Sequence, residues 1–237
     1  PAPRTRCRSP GRSSSERARL SRSIRAMRRL TLLALVAVLA ACGGKGTTST
    51  ETAGCTPVTA PATAPRTGTK PTTRLDPATA YDVVVETNCG TFTITLDQAQ
   101  SPNTTASFVA LVEAGYFDRT IFHRIVPGFV IQGGYLPSRR EPLDTVQERY
   151  VRQMPPEFNP TPHDKGILSM ARAADPGSAT TSFFIVTARS QGLDNQYTVF
   201  GRVIDGLDVL ERIEAVPVNG ETPVERVDVT RVRVVRP

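Results

Sequence analysis

FHRIVPGFVIQGG, residues 122 to 134, decides how the rest of the chain is read. Apolar, β-branched and glycine positions crowd around one histidine, one arginine and one glutamine, the composition of β-structure with one buried face. Arg124 stands beside this apolar surface with no carboxylate in the run to neutralise it. The ordinary fate of such an arginine is to lay its stem on the apolar surface and reach water with its head. The neighbouring segments decide whether this one does more.

Working outward, YDVVVETN and TFTITLD are short β-branched runs separated by Cys89-Gly90, a hairpin signal. In the second run Phe92, Ile94 and Leu96 alternate with threonines, so one face is buried. SPNTTASFVALVEAGYF changes period: Phe108, Leu111 and Val112 share a helical face, and Gly115 is placed to end the helix. GILSMARA, SFFIVTA and YTVFGRVI read as further strands, and LDVLERIEAV gives a second amphipathic helix through Val209, Leu210 and Ile213. VERVDVTRVRVV closes the chain as a strand. Many strands with only two helices predict a mainly β fold, an antiparallel barrel or sandwich, over residues 77–237, and about 160 residues is ample for one core.

The first part of the chain has another character. The protein carries 29 basic and 22 acidic residues, a net charge of +7. Residues 1–41 hold ten arginines against Glu16 alone, a net of +9, so the remainder carries 7 − 9 = −2. The basic balance therefore gives no argument for a nucleic-acid partner. Met27, Arg28 and Arg29 precede TLLALVAVLAAC, an apolar run too short for the ~20 residues of a membrane span. A positive n-region, a short apolar run and small residues before a cut describe a secretory signal. Leu39-Ala40-Ala41-Cys42 resembles a bacterial lipobox, which implies cleavage before Cys42 and lipidation of its thiol. Residues 1–26 read as an upstream extension, with Met27 as the expected start. Residues 42–76, rich in Thr, Pro and Ala, bury too little apolar surface to offset ordering entropy and read as a disordered tether. An extracytoplasmic location permits a disulfide between Cys55 and Cys89, with free thiols the alternative. The bridge is preferred, because no other cysteine remains once Cys42 is lipidated and Cys7 is lost.

FHRIVPGFVIQGG, EFNPTPHDKGILSMARA, SFFIVTA and LDNQYTVFGRVIDGLDVLERI, taken in that order, resemble the cyclophilin family of peptidyl-prolyl isomerases across roughly residues 81–236. The resemblance implies a closed eight-stranded antiparallel barrel capped by two α-helices. Such a barrel fills its interior with side chains, so an active site must lie on its outer face. It implies no cofactor and no metal, proline-containing polypeptides as partners, and a monomer.

The chemistry explains the arginine. A peptide bond resists rotation by ~18–20 kcal/mol because the nitrogen lone pair is delocalised into the carbonyl. X–Pro bonds populate both isomers but interchange over tens to hundreds of seconds. A catalyst needs a socket for the proline ring and a donor that bonds the prolyl nitrogen once twisting localises its lone pair. That donor acts mainly in the transition state, the condition for raising turnover. Arginine stays protonated and presents a rigid fork. By resemblance Arg124 is this donor, its charge expected to stay unneutralised until substrate arrives. Gln132 matches the residue that positions it and holds substrate backbone. Phe129, Val130, Phe184 and Leu193 match the proline socket, Ala171, Arg172 and Ala173 the stretch that pairs with substrate backbone, and Tyr197 the far wall. His123 is expected to be structural, pointed away by strand parity. His163, in a Pro-rich loop, and Arg139 and Arg140 are expected to be solvated.

Four positions depart from the family pattern. Tyr135 replaces an aspartate, Ser182 a glutamine, Gly192 an aromatic and Val130 a methionine, and YLPSRREPLDTVQERYVRQMPP lacks the usual Gly- and Thr-rich stretch. All lie around the groove. The expected function is isomerisation of X–Pro bonds by a lipid-anchored, extracytoplasmic protein that assists folding of exported proteins. The alternative is a proline-binding chaperone or interaction module with weak or no catalysis.

Overall fold

Eight of the ten described strands hydrogen-bond into a closed antiparallel barrel, in the computed structural model of residues 54–63, 67–71 and 75–235. The expected upstream extension, the expected signal peptide and Cys42 lie outside the described residues. In chain order the elements are β1 (Tyr81–Thr87), β2 (Gly90–Leu96), α1 (Pro102–Glu113), β3 (Thr120–Val126), β4 (Val130–Gly133), α2 (Thr145–Glu148), β5 (Ile167–Met170) and β6 (Phe183–Val186). They continue with β7 (Val199–Asp205), α3 (Leu207–Glu214), β8 (Val218–Asn219), β9 (Thr222–Pro223) and β10 (Asp228–Val235). The barrel runs β1-β10-β3-β4-β6-β5-β7-β2, and β8-β9 form a separate hairpin.

Side-chain alternation sorts the residues between the two faces of the barrel wall. Phe92 and Ile94 of β2, Phe122 and Ile125 of β3, Ile131 of β4, Phe183 and Ile185 of β6 and Phe200 of β7 are buried in one core. Phe108 of α1 closes that core at one end, its ring 4.9 Å from Phe117, 5.1 Å from Phe200 and 5.8 Å from Phe183. The residues in between, Val130, Phe184, Val186 and Val199 among them, form a second apolar cluster. The functional groove grows from this second cluster.

Both expected helices are present with the expected buried faces, Phe108, Leu111 and Val112 on α1 and Val209, Leu210 and Ile213 on α3. Gly115 ends α1 in the left-handed region, φ +67°. The first turn of α1 is capped from a distance: Glu157 accepts the backbone N–H of Asn103 at 3.0 Å and of Thr104 at 2.8 Å. The extra short helix α2 lies in the segment that departs from the family pattern. Its start is a capping box, in which Asp144 accepts from Gln147 N and Val146 N while Gln147 returns a bond to Asp144 N. Arg139 is not on a solvated face. Its guanidinium lies 4.6 Å over the Tyr116 ring and donates to Tyr116 O, because the same segment folds back over that ring. Arg140 is exposed.

The segment read as a tether is joined to the barrel at several of its described residues. Cys55 and Cys89 form a disulfide, Thr56 N–H donates to Asn88 O at 2.8 Å, and Asn88 Nδ2 donates to Thr56 O at 2.8 Å. Further along, Arg119 Nη2 donates to Ala62 O and Gly68 N–H donates to Asp144. Composition argued against self-made order in this segment; the order is borrowed from the barrel.

The disulfide closes a separation of 34 residues, worth at most ~3–4 kcal/mol in the chain-entropy account. Cys89→Ser should therefore lower the thermal midpoint by up to ~6–16 °C, at about 2–4 °C per kcal/mol for a domain of this size. Hydrogen exchange should show the Thr56 amide losing protection in the same variant. An unmoved midpoint with Thr56 still protected would show that the segment is held without the bridge.

Candidate active site

A β-bulge sets the geometry of the site. β3 pairs with β4 as Phe122↔Gly133 and then Arg124↔Gln132, so His123 is the extra residue. The bulge lets Phe122 and Ile125 both enter the core while Arg124 stays on the outer face. Strict parity therefore does not run through His123; its ring lies 5.1 Å from Tyr135, outside the groove lining. On the next strand Gln132 pairs with Phe184, and Phe184 pairs with Ser169 of β5. Arg124, Gln132, Phe184 and Ser169 thus form one row across four strands.

Around that row lies a depression of about 130 Å³ lined by Arg124, Phe129, Val130, Gln132, Ala171, Arg172, Phe184, Leu193 and Tyr197. Of the expected groove residues only Ala173 is missing from the lining. Its N–H donates to Ser178 Oγ and its carbonyl accepts from Arg172, while Ala171 N–H donates to Ser182 O. The apolar floor is Phe184, with the Tyr197 ring edge-on at 5.4 Å. Phe129 is carried by the β3–β4 turn, where Glu214 of α3 accepts both Gly128 N–H and the Thr187 hydroxyl. At Gly192 an added Cβ would meet nothing within 4 Å, so the missing aromatic leaves open space.

The polar side of the depression is a chain of hydrogen bonds. Arg124 Nη1 donates to Gln132 Oε1 at 3.2 Å, Gln132 Nε2 donates to Ser182 Oγ at 3.2 Å, and Ser182 donates to Gly133 O at 3.1 Å. Ser182, read from sequence as a loss, fixes which end of the Gln132 amide faces Arg124. The expectation that Arg124 is unneutralised is wrong. Glu221 takes Nε at 2.6 Å and Nη2 at 3.0 Å, and this bond holds the Glu221 carboxyl below its usual value. Glu221 stands 97 residues from Arg124, beyond the reach of any local pattern. Arg172 is the contrasting cation: it donates to the carbonyls of Gln196, Ala173 and Ala174 and lies 4.6 Å over Tyr197. Its charge meets carbonyl dipoles and a ring face.

His163 was expected in solvent and is fully buried. Its backbone N–H donates to Asp194 Oδ1 at 2.8 Å, its Nδ1 meets the same oxygen at 3.2 Å, and Nε2 lies 2.9 Å from Ser169 Oγ. A carboxylate only accepts, so Nδ1 carries the proton and Nε2 accepts from the serine. The ring stacks at 6.0 Å behind Phe184. Asp194, also bound by Arg189, follows the Gln191–Leu193 turn that presents Leu193. His163 thus braces the pocket from below and ties down its wall. No local pattern marked it, because its partners Asp194 and Ser169 come from other segments.

Comparison with known proteins agrees with this fold. The family model described as Cyclophilin type peptidyl-prolyl cis-trans isomerase/CLD matches residues 82–234. A protein of Neurospora crassa named peptidyl-prolyl cis-trans isomerase-like 1 is 39% identical over 159 residues, 66% of this chain and 96% of its own length. The protein of the same name from Aspergillus oryzae is 36% identical over 158 residues, 66% of this chain and 96% of its own. Among solved structures, a cyclophilin type isomerase of Cryptosporidium parvum, crystallised in the presence of the dipeptide Ala-Pro, has a TM-score of 0.57 and 32% identity. It covers 64% of this chain and 96% of its own.

Both histidines resist protonation in the fold. Burial first, then the Arg124 charge, lowers His123 from 6.5 to about 4. Burial also lowers His163, with Asp194 opposing. The unfolded chain takes up protons near 6.5 that the fold refuses, so their stabilising contribution is full above that value and is lost as pH falls through the folded values. Asp194, held at about 2 by Arg189 first and then His163, contributes fully above the usual carboxylate value and loses this only toward pH 2. The thermal midpoint should fall steadily from about pH 7 to about pH 4.5, and histidine NMR should find His123 still neutral at about pH 5. A midpoint that stays flat across this range, or a His123 that titrates near 6.5, would contradict the assignment.

Proposed function

Since the chain belongs to the cyclophilin-type peptidyl-prolyl cis-trans isomerase family, we propose that its X–Pro isomerisation runs in the Arg124 groove, on exported proteins, outside the cytoplasm. One observation carries this: the register Arg124↔Gln132↔Phe184 sets a guanidinium, an amide and an apolar floor side by side on the barrel's outer face. The proline ring rests on Phe184 between Phe129 and Leu193, which excludes water from one side of the bond. Gln132 takes up substrate backbone, and the backbone of Arg172 pairs with the residues before proline. As the bond twists, the prolyl nitrogen regains its lone pair and accepts a hydrogen bond from Arg124. Planar substrate offers that nitrogen no such acceptor, so the bond favours the transition state. No proton changes hands, and this chemistry calls on no cofactor. Proline-containing polypeptides are the substrate class, in keeping with the Ala-Pro present with the Cryptosporidium relative. One copy of the chain supplies the whole groove, which supports action as a monomer.

The anchoring reading rests on the short apolar run ending in Cys42. The Cys55–Cys89 disulfide supports an oxidising compartment. Lipidation of Cys42 would hold the domain at the outer side of a bacterial cell membrane, where newly exported chains emerge. The alternative, a proline-binding chaperone or interaction module with weak or no catalysis, drew on the glutamine lost at Ser182. Ser182 instead orients Gln132, which favours the enzyme.

Arg124→Ala should lower kcat/KM on a proline peptide by ~10²–10³, the usual effect of removing one preorganised transition-state donor. Its thermal midpoint should barely move, because the Arg124 side chain is about one-third exposed, at 32%. Full activity in the folded variant would favour the binding module. For the anchor, Cys42→Ser should transfer the protein from the membrane fraction to the soluble one. A wild type already soluble, with an unmodified mature N-terminus, would sink that part of the reading.

A further inference from the structure

The β8–β9 hairpin lies outside the barrel, with Gly220 at its tip in the left-handed region, φ +64°. Its other tip residue, Glu221, is clipped to β3 by its own backbone: Ile125 N–H donates to Glu221 O at 2.8 Å. The clip falls on the residue after Arg124. It brings the Glu221 carboxylate to the Nε/Nη2 edge of the guanidinium, in the two-bond fork geometry that carboxylates and arginine share. Gln132 holds the Nη1 side. Of five guanidinium N–H groups, Glu221 takes two and Gln132 one. One remains on Nη1 and one on Nη2.

We propose that Glu221 is a positioning residue for the isomerase reaction, fixing the roll of the Arg124 guanidinium so that its remaining N–H groups face the bound proline. The inference rests on the reading of Arg124 as the donor. Gln132 alone makes one bond to a planar group at the end of a long chain, about which the plane can still swing. The carboxylate adds two bonds on the adjacent edge and removes that freedom. An arginine this exposed would otherwise turn toward water. Glu221 also opposes the cation's charge and so weakens it as a donor. Orientation outweighs this loss, because the prolyl lone pair is directional and is met at one angle only.

The two effects predict opposite results. Glu221→Ala keeps the backbone clip and should lower kcat by ~10-fold or more, in line with the ~10²-fold that a 1 Å misplacement can cost. KM should stay within about twofold of wild type, since Phe129, Phe184 and Leu193 still hold the ring. Glu221→Gln, able to accept one bond, should fall between the two. In ¹⁵N spectra the Arg124 Nε–H, identified by its absence from Arg124→Ala, should exchange slowly with water in wild type and quickly in Glu221→Ala. Wild-type or higher kcat in Glu221→Ala, with Arg124→Ala inactive, would overturn the proposal and leave the groove reading intact. A kcat loss matched by a fall in thermal midpoint would also overturn it, assigning Glu221 to the hairpin's stability. Full activity of Arg124→Ala would remove both readings together.

Discussion

One extra residue in β3 holds the site together. Were the Phe122–Ile125 stretch a regular strand, alternation would put those two side chains on opposite faces, and one large apolar group would leave the core. The bulge at His123 lets both point inward and hands the outer position to Arg124, directly across from Gln132. Everything on the groove's polar side follows from that pairing. Gln132 reaches Arg124 on one side and Ser182 on the other, and its ladder partner is the phenylalanine on which a proline ring would lie. Core packing and groove geometry are thus two faces of one register.

The groove's electrostatics invert a simple expectation. Two arginines line it, and the proposed donor is the one already paired with a carboxylate. Arg172 meets carbonyls and an aromatic ring instead. A guanidinium satisfied in this way is rigid but keeps its full charge in the field of the groove. Substrate side chains near the proline therefore meet one compensated and one uncompensated cation. The opening at Gly192 widens the wall beside Leu193, so the apolar grip depends chiefly on Phe129, Phe184 and Leu193.

Most of the barrel was legible because period-2 and period-3.6 patterns are local: Phe92, Ile94 and Leu96, or Val209, Leu210 and Ile213, announce a buried face within a few residues. The groove residues were legible only through resemblance, since Phe184 and Leu193 read alone as ordinary core. What escaped was set by distant chain. Glu221 meets Arg124 across 97 residues, and His163 is buried by Asp194 and Ser169 from two other segments. His123 escaped parity because a bulge changes register without a sequence mark of its own here. Arg139 escaped because a polar-looking segment folded back onto Tyr116.

Under the proposed attachment at Cys42, the disulfide would have a mechanical meaning. Such a leash would meet the barrel at the Cys55 bridge, ahead of the start of the globular pattern. Twelve residues lie between the two cysteines, a reach of at most ~45 Å. Cys89 sits at the β1–β2 turn, so the pull would enter the barrel at one hairpin end and fix which pole of the domain is nearer the bilayer. Opening the bridge would move the point of attachment further along the chain and lengthen the tether. The working radius of the groove above a membrane would then be a redox-dependent quantity.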